Sequence, residues 1–162
     1  MTENKTIDQY KTIVKLANKV YSQLRWGFKE EVYQDALEQE FICNGIPYVR
    51  EKHLSVYYQV DGKDPVELQH TFRADFFCYD SIIVELKTVY LDDKMKEGAK
   101  SQVRNYMAAT GKKNALLLNF YGNKDYVYFI TQPSYIFKEV KQALNIEDNN
   151  SDTEIKGILN IE

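Results

Sequence analysis

Apolar residues recur along the start of the chain at helical intervals. Ile7, Tyr10, Ile13, Val14, Ala17, Val20, Tyr21 and Leu24 fall on one stripe, which predicts a helix over Thr6 to Leu24. The stretch "WGFKEEVYQDALEQEFICNG" repeats the pattern with Val32, Tyr33, Ala36, Leu37, Phe41 and Ile42. Gly45 supplies a helix stop and Gly27 marks the break between the two helices.

After Pro47 the period changes to two. Leu54, Val56, Tyr58 and Val60 alternate with Ser55, Tyr57 and Gln59 up to the turn "DGKD", which predicts a strand. A short strand near Val66 to Leu68 runs toward a second one at Thr71 to Cys78. "YDS" then turns the chain into "IIVELKTV", β-branched and apolar, so the two runs read as a hairpin. Asp93 to Thr110 returns to helical spacing at Val103, Tyr106, Met107 and Thr110, and Gly111 closes it. "NALLLNFY" is wholly apolar in its centre, as an inner strand is. "YVYFI" is another strand, and Pro133 opens a last helix to Leu144. The order α-α-β-β-β-α-β-β-α predicts an α/β fold with helices on the faces of a sheet.

Composition adds limits. The 162 residues suit a single domain, taken as residues 1–144, and 44% apolar with 28% charged is ordinary for a soluble protein. No apolar run approaches the roughly 18 residues of a membrane span, and "MTENKTIDQYK" is not a signal peptide, so a cytoplasmic protein without membrane contact is expected. Cys43 and Cys78 do not make a disulfide framework and sit among apolar neighbours, as buried reduced thiols do. With His53 and His70 as the only histidines, a zinc site would be short of ligands, so any metal should be a hard ion held by oxygen. The net charge of −3 argues against nucleic acid until its placement is considered. Residues 145–162 carry Glu147, Asp148, Asp152, Glu154 and Glu162 against Lys156, leaving +1 for the rest. That stretch reads as an acidic, flexible tail.

One feature resists the core reading. Within "FRADFFCYDSIIVELKTVY", Asp75, Glu85 and Lys87 interrupt an apolar hairpin, where unpaired charge is costly. Alternation puts Glu85 and Lys87 on one face with Ile83. A turn centred on Asp80 sets Asp75 across from Glu85, with Cβ atoms about 5 Å apart. Two carboxylates that close repel, so one is protonated or a cation bridges them. A divalent ion such as Mg²⁺ removes the conflict, and Lys87 one pleat further can meet a phosphate oxygen. Taken alone, the spacing fits a solvated sheet face bearing an acid–lysine pair better.

Other motifs accompany it. Gly27, Glu30 and Tyr33 form a G-x-x-E-x-x-Y pattern at a helix start, and Gln102 and Tyr106 lie at i and i+4 in "QVRNY". With "FRADFF", "IIVELKTV" and "ALLLNF" in this order, the chain from about Gly27 to Ile130 resembles the GxxExxY protein family, a branch of the PD-(D/E)XK nuclease superfamily with affinity to RecB-like nucleases. The resemblance implies a restriction-endonuclease-like core, α-β-β-β-α-β, with a mixed central sheet flanked by helices and an extra N-terminal helix. It implies Asp75 and Glu85 as metal ligands with the Leu86 carbonyl as a third, and Lys87 as the catalytic lysine. Glu30 completes the site directly or through water, and Gln102 and Tyr106 support the lysine or the phosphate. Ala74 stands where the usual proline would. The link from Lys87 to Gln102 is a few residues long, and lysines replace a histidine often found before the glutamine.

The function so implied is a Mg²⁺-dependent nuclease, with Mn²⁺ as a substitute, hydrolysing phosphodiester bonds in DNA by a metal-activated water. Lys94, Lys96, Lys100 and Arg104, with Lys112 and Lys113, are candidates for a phosphate-facing rim. Tyr57 and Tyr58 are candidates for base stacking or, more ordinarily, sheet packing. A different class of function, a catalytically silent nucleic-acid-binding or accessory module working with a partner protein, uses the same fold. A homodimer is compatible with the sequence as well.

Overall fold

The structure is a computed structural model that describes residues 2–90, 92–122, 126–131 and 153–156. Helices α1 (Thr2–Leu24) and α2 (Glu30–Cys43) lead into strands β1 (Tyr48–Tyr58), β2 (Val66–Cys78) and β3 (Ile82–Lys87). Helix α3 (Asp93–Thr110) follows, then β4 (Asn114–Asn119), β5 (Tyr126–Thr131) and β6 (Thr153–Lys156). The strands form one sheet in the order β1-β2-β3-β4-β5-β6. Only the β3–β4 pair among them is parallel, joined by α3 in a β-α-β crossover, so the sheet is mixed. The core from α2 to β4 has the expected α-β-β-β-α-β order, with α1 added before it.

The sheet's two faces are buried separately. Tyr10, Ile13 and Val14 of α1 and Tyr33, Leu37 and Phe41 of α2 pack on Phe76, Ile82, Val84, Leu86, Leu116 and Leu118. On the other face, Val103 and Met107 of α3 meet Phe72, Ala74, Phe77, Ile83, Ala115 and Leu117. Alternation along β3 and β4 explains this division. Asp92 caps α3 by accepting from the Met95 N–H at 2.8 Å, and Gly111 ends it in the left-handed region.

β2 departs from simple alternation at one point. Phe72 and Ala74 face α3, yet so does Phe77, while Phe76 and Cys78 face α1 and α2. The pleat therefore changes phase between Ala74 and Phe76, at Asp75. Its neighbour β1 does the same opposite. Glu51 has φ 51°, in the left-handed region, and the paired residues Arg50–Phe76 and Lys52–Ala74 flank it.

Several expectations need correcting. The 66–68 strand does run on into the 71–78 strand, as one strand of 13 residues, but other points differ. A bulge at Ser55–Tyr57 breaks the β1 alternation, leaving Tyr58 exposed with Tyr57. On α2 the buried positions are Tyr33, Gln34, Leu37 and Phe41, whereas Val32 and Ile42 are exposed, so the stripe is rotated toward Gln34. Cys43, at the end of α2, is exposed rather than buried; Cys78 is buried, and burial pushes its thiol up to about 12. Thr153–Lys156 lie in the stretch expected to be a flexible tail, but pair with β5 from Tyr126–Lys156 to Phe129–Thr153. The backbone groups β5 presents on its outer side are satisfied by that added strand. The helix expected at Pro133 to Leu144 lies outside the described residues.

Leu37→Ala should cost about 2–5 kcal/mol of unfolding free energy, and Ile42→Ala within about 0.5 kcal/mol. Urea denaturation measures both; equal losses would contradict this orientation of α2.

Candidate active site

The hairpin register delivers the two acids. β2 and β3 pair at Cys78–Ile82, Phe77–Ile83 and Phe76–Val84, and the next pair in register would be Asp75 with Glu85. The ladder stops there. Instead the Leu86 N–H donates to Asp75 Oδ2 at 2.7 Å, so a side chain takes over where the strands part. The phase change at Asp75 frees its carboxylate for this reach.

Glu85 is buried at 9% exposure on the α3 face of β3, and its Oε1 has no hydrogen-bond partner. Burial first, then the neighbouring Asp75 charge and a hydrogen bond to Asp75, push its carboxyl up to about 8, with Lys87 pulling down. Asp75 is also raised, by burial, against the lowering effects of the Leu86 N–H, Lys87, the hydrogen bond from Glu85, and Arg73. Of the two, Glu85 holds its carboxyl proton the more strongly, because burial weighs on it most. Glu30, at the first turn of α2, joins them electrostatically. Burial and then Asp75 raise its carboxyl, and Lys87 opposes the shift. Lys87 is partly buried at the end of β3 and acts on all three acids. Leu86 has its side chain in the core, so only its main chain can serve the site.

The G-x-x-E-x-x-Y pattern acquires a physical basis. Gly27 adopts φ 122°, which a side chain would resist, and so turns the chain between α1 and α2. Tyr33 stacks on Phe120 with ring centroids 4.8 Å apart. Its hydroxyl donates to the Arg25 carbonyl at 2.5 Å and accepts from the Phe28 N–H at 3.3 Å. Tyr33 therefore clamps the loop that leads into Glu30.

A polar chain behind Asp75 escaped the sequence reading. Gln34 is buried and donates through Nε2 to the Asp75 carbonyl at 3.3 Å. Arg50 donates to Gln34 Oε1 at 3.3 Å and to Glu38 Oε2 at 2.6 Å, and pairs with Asp35 at 2.7 Å. These residues hold the Asp75 backbone. The signal was present as a Gln one turn after Glu30 on the same helix, obscured by the apolar stripe around it.

The remaining candidates are spread along α3. Gln102 Nε2 donates to the Tyr106 hydroxyl at 2.6 Å, and the Tyr106 ring stacks on Phe72 at 3.7 Å. The two are joined to each other on the face of the sheet that bears Glu85. Lys94 is exposed and Arg104 partly buried; the Lys96 side chain is outside the described set. Lys100 is buried rather than on a rim, because positions 100, 103 and 107 face the sheet; its ammonium is 3.7 Å from Glu97 Oε1. Lys112 lies over the Phe77 ring at 5.1 Å.

Among the described residues no group of three His, Cys, Asp or Glu side chains forms a ready-made metal cage. The donor set nevertheless suits a hard divalent ion: two facing carboxylates, an unpartnered buried oxygen on Glu85, and Glu30 close enough to raise the local negative charge.

Residues 8–128 match the family described as the PD-(D/E)XK nuclease superfamily, about three quarters of the chain. The chain belongs to that superfamily. Membership suggests nuclease activity, and superfamily nucleases typically use divalent metals. Among solved structures, the chain is similar to the "Crystal structure of SSO0001", at 22% identity and a TM-score of 0.49. That match covers 70% of this chain but only 55% of the other. No curated protein matches the chain.

The acid pair carries a pH signature in the metal-free protein. Glu85 has a folded pKa of about 8, above its ordinary 4.5, so the folded state keeps a proton that the unfolded state releases. Its contribution to stability is fully present below about pH 4.5 and is lost as pH rises toward 8. Glu85→Gln should flatten that loss and raise the metal-free melting temperature at pH 8 by about 5–10 °C. Thermal scans from pH 5 to 8.5 in chelator test it; an unchanged slope in the variant would contradict the assignment.

Proposed function

We propose that the protein is a Mg²⁺-dependent nuclease that hydrolyses phosphodiester bonds in DNA, and that it belongs to the GxxExxY, RecB-like branch of the superfamily. The observation that carries this reading is the half-buried Asp75 facing the buried Glu85, which keeps an orphaned oxygen beside Lys87. A hydrophobic protein interior tolerates such a pair poorly unless its charge has a use. Asp75, Glu85 and the Leu86 carbonyl would hold the ion. When bound, it would supply Lewis acidity toward a phosphate and lower the pKa of a water.

The chain's own groups account for the rest. Lys87 presents a cation one pleat beyond Glu85, where a phosphate oxygen gains charge during hydrolysis. Glu30, whose carboxyl burial and Asp75 push above the ordinary range, is placed to exchange a proton with water at the edge of the site. The Gln102–Tyr106 pair offers polar groups on the same side of the sheet. Lys94 and Arg104 extend the positive charge along α3. A cytoplasmic setting, with DNA as the partner, agrees with this chemistry.

The test is cleavage of labelled single- and double-stranded DNA with Mg²⁺ or Mn²⁺. Glu85→Gln and Lys87→Ala should each lower the rate by about 100-fold or more, and a chelator should abolish it. Cleavage that persists in Glu85→Gln or in chelator would overturn the site. DNA binding without any cleavage would instead make the protein a silent binding module.

A further inference from the structure

Three loops meet at the end of the sheet that carries Lys87. They are the α1–α2 turn (25–29), the β3–α3 link after Lys87, and the segment after β4. Parallel pairing of Lys87 with Asn119 brings the last two side by side. The first turn reads "RWGFK", an aromatic residue on each side of Gly27 and a basic one beyond each. Trp26 is 47% exposed, Phe28 49% and Tyr90 66%. Large rings exposed together are uncommon on a surface that has no ligand.

Trp26 and Tyr90 are joined through a third ring, Tyr121. Tyr121 lies 5.5 Å from Trp26 and 6.1 Å from Tyr90 between ring centroids, with interplanar angles of 56° and 67°. Neither contact is a parallel stack. Phe28 meets Tyr33 edge-on at 6.3 Å.

The loops are also fixed. The Arg25 N–H donates to the Tyr21 carbonyl at 2.8 Å, and the Tyr33 hydroxyl holds both Arg25 and Phe28. The Tyr21 hydroxyl donates to the Gly122 carbonyl. The Phe120 N–H donates to the Lys87 carbonyl at 2.8 Å, and Asn119 Nδ2 to the Val89 carbonyl at 3.0 Å. Exposed rings on a tied framework lose little freedom when a ligand stacks on them.

We propose that Trp26, Phe28 and Tyr90, flanked by Arg25 and Lys29, are a stacking platform for the unpaired bases of single-stranded DNA. The proposal deepens the nuclease reading and rests on it for the direction of the strand. Phe28 is two residues from Glu30 and Tyr90 three from Lys87, so bases held on the rings leave the adjoining phosphates at the acid pair. Arg25 and Lys29 meet the backbone, and the rings accept any base, because every base has a π face. Paired bases in a duplex offer no such face except at an end, which makes a single strand or a frayed end the fitting substrate.

Trp26 is the only tryptophan in the chain, so its fluorescence reports the platform directly. Full-length protein in chelator is titrated with oligo-dT of about 16 nucleotides, and with an abasic strand of equal length and charge. Oligo-dT should quench Trp26 emission saturably, with the abasic strand binding about tenfold more weakly and leaving emission unchanged. Tyr90→Ala, which keeps the reporter, should weaken oligo-dT binding by about fivefold or more. Equal binding of the abasic strand would overturn the proposal. So would full-strength binding in Tyr90→Ala, or no binding of oligo-dT, the last leaving the rings for a protein partner. Base-dependent quenching in a protein that cleaves nothing would sink the nuclease reading alone. Cleavage with unchanged Trp26 emission would sink the platform alone.

Discussion

One hydrogen bond organises the site: the Leu86 N–H donated to Asp75 Oδ2 where β2 and β3 separate. Up to Phe76–Val84 the two strands bond through their backbones, and beyond it a carboxylate stands in for a backbone carbonyl. That exchange keeps the Leu86 N–H satisfied inside the core. It also fixes a negative group beside Glu85, which the same core desolvates. The acids are together because the hairpin register puts them together. They are strained electrostatically because Glu85 is buried and Asp75 half-buried.

The surrounding elements each answer to that constraint. α2 brings Glu30 to the pair at its N-terminus and holds the Asp75 backbone through Gln34, which Arg50 in turn anchors to Asp35 and Glu38. Tyr33 ties the loop before Glu30 to the core by stacking on Phe120, next to the strand that pairs with β3. β4 flanks β3 in parallel, so the chain ends of Lys87 and Asn119 open on one edge of the sheet. The acid pair with Lys87, the loop clamp and the exposed rings therefore share one edge, on different residues of the same few elements.

Much of this was legible in the sequence. The helix boundary at Asp93–Thr110 followed from spacing and Gly111, and the hairpin register from a turn centred on Asp80. Periodicity failed where polar residues are buried for a reason other than packing. Gln34 takes an inward position that an apolar pattern assigns elsewhere, and Val32 and Ile42 give way to it. The phase change at Asp75 and Glu51 left no hydropathy trace, because both neighbours of Asp75 are apolar-compatible on either face. Lys100 shows the opposite case: its long aliphatic stem lies in the buried, sheet-facing row while its sequence context is basic and helical.

The central claim is that Asp75 and Glu85 are kept adjacent to take a divalent cation in exchange for a proton. Calorimetric titration of Mg²⁺ or Mn²⁺ into the metal-free protein at pH 7, in buffers of differing ionisation enthalpy, measures both events at once. The account predicts one site per chain, with about one proton released as the ion displaces it from Glu85, and loss of binding in Asp75→Asn. Binding without proton release, or binding that Asp75→Asn leaves intact, would contradict it.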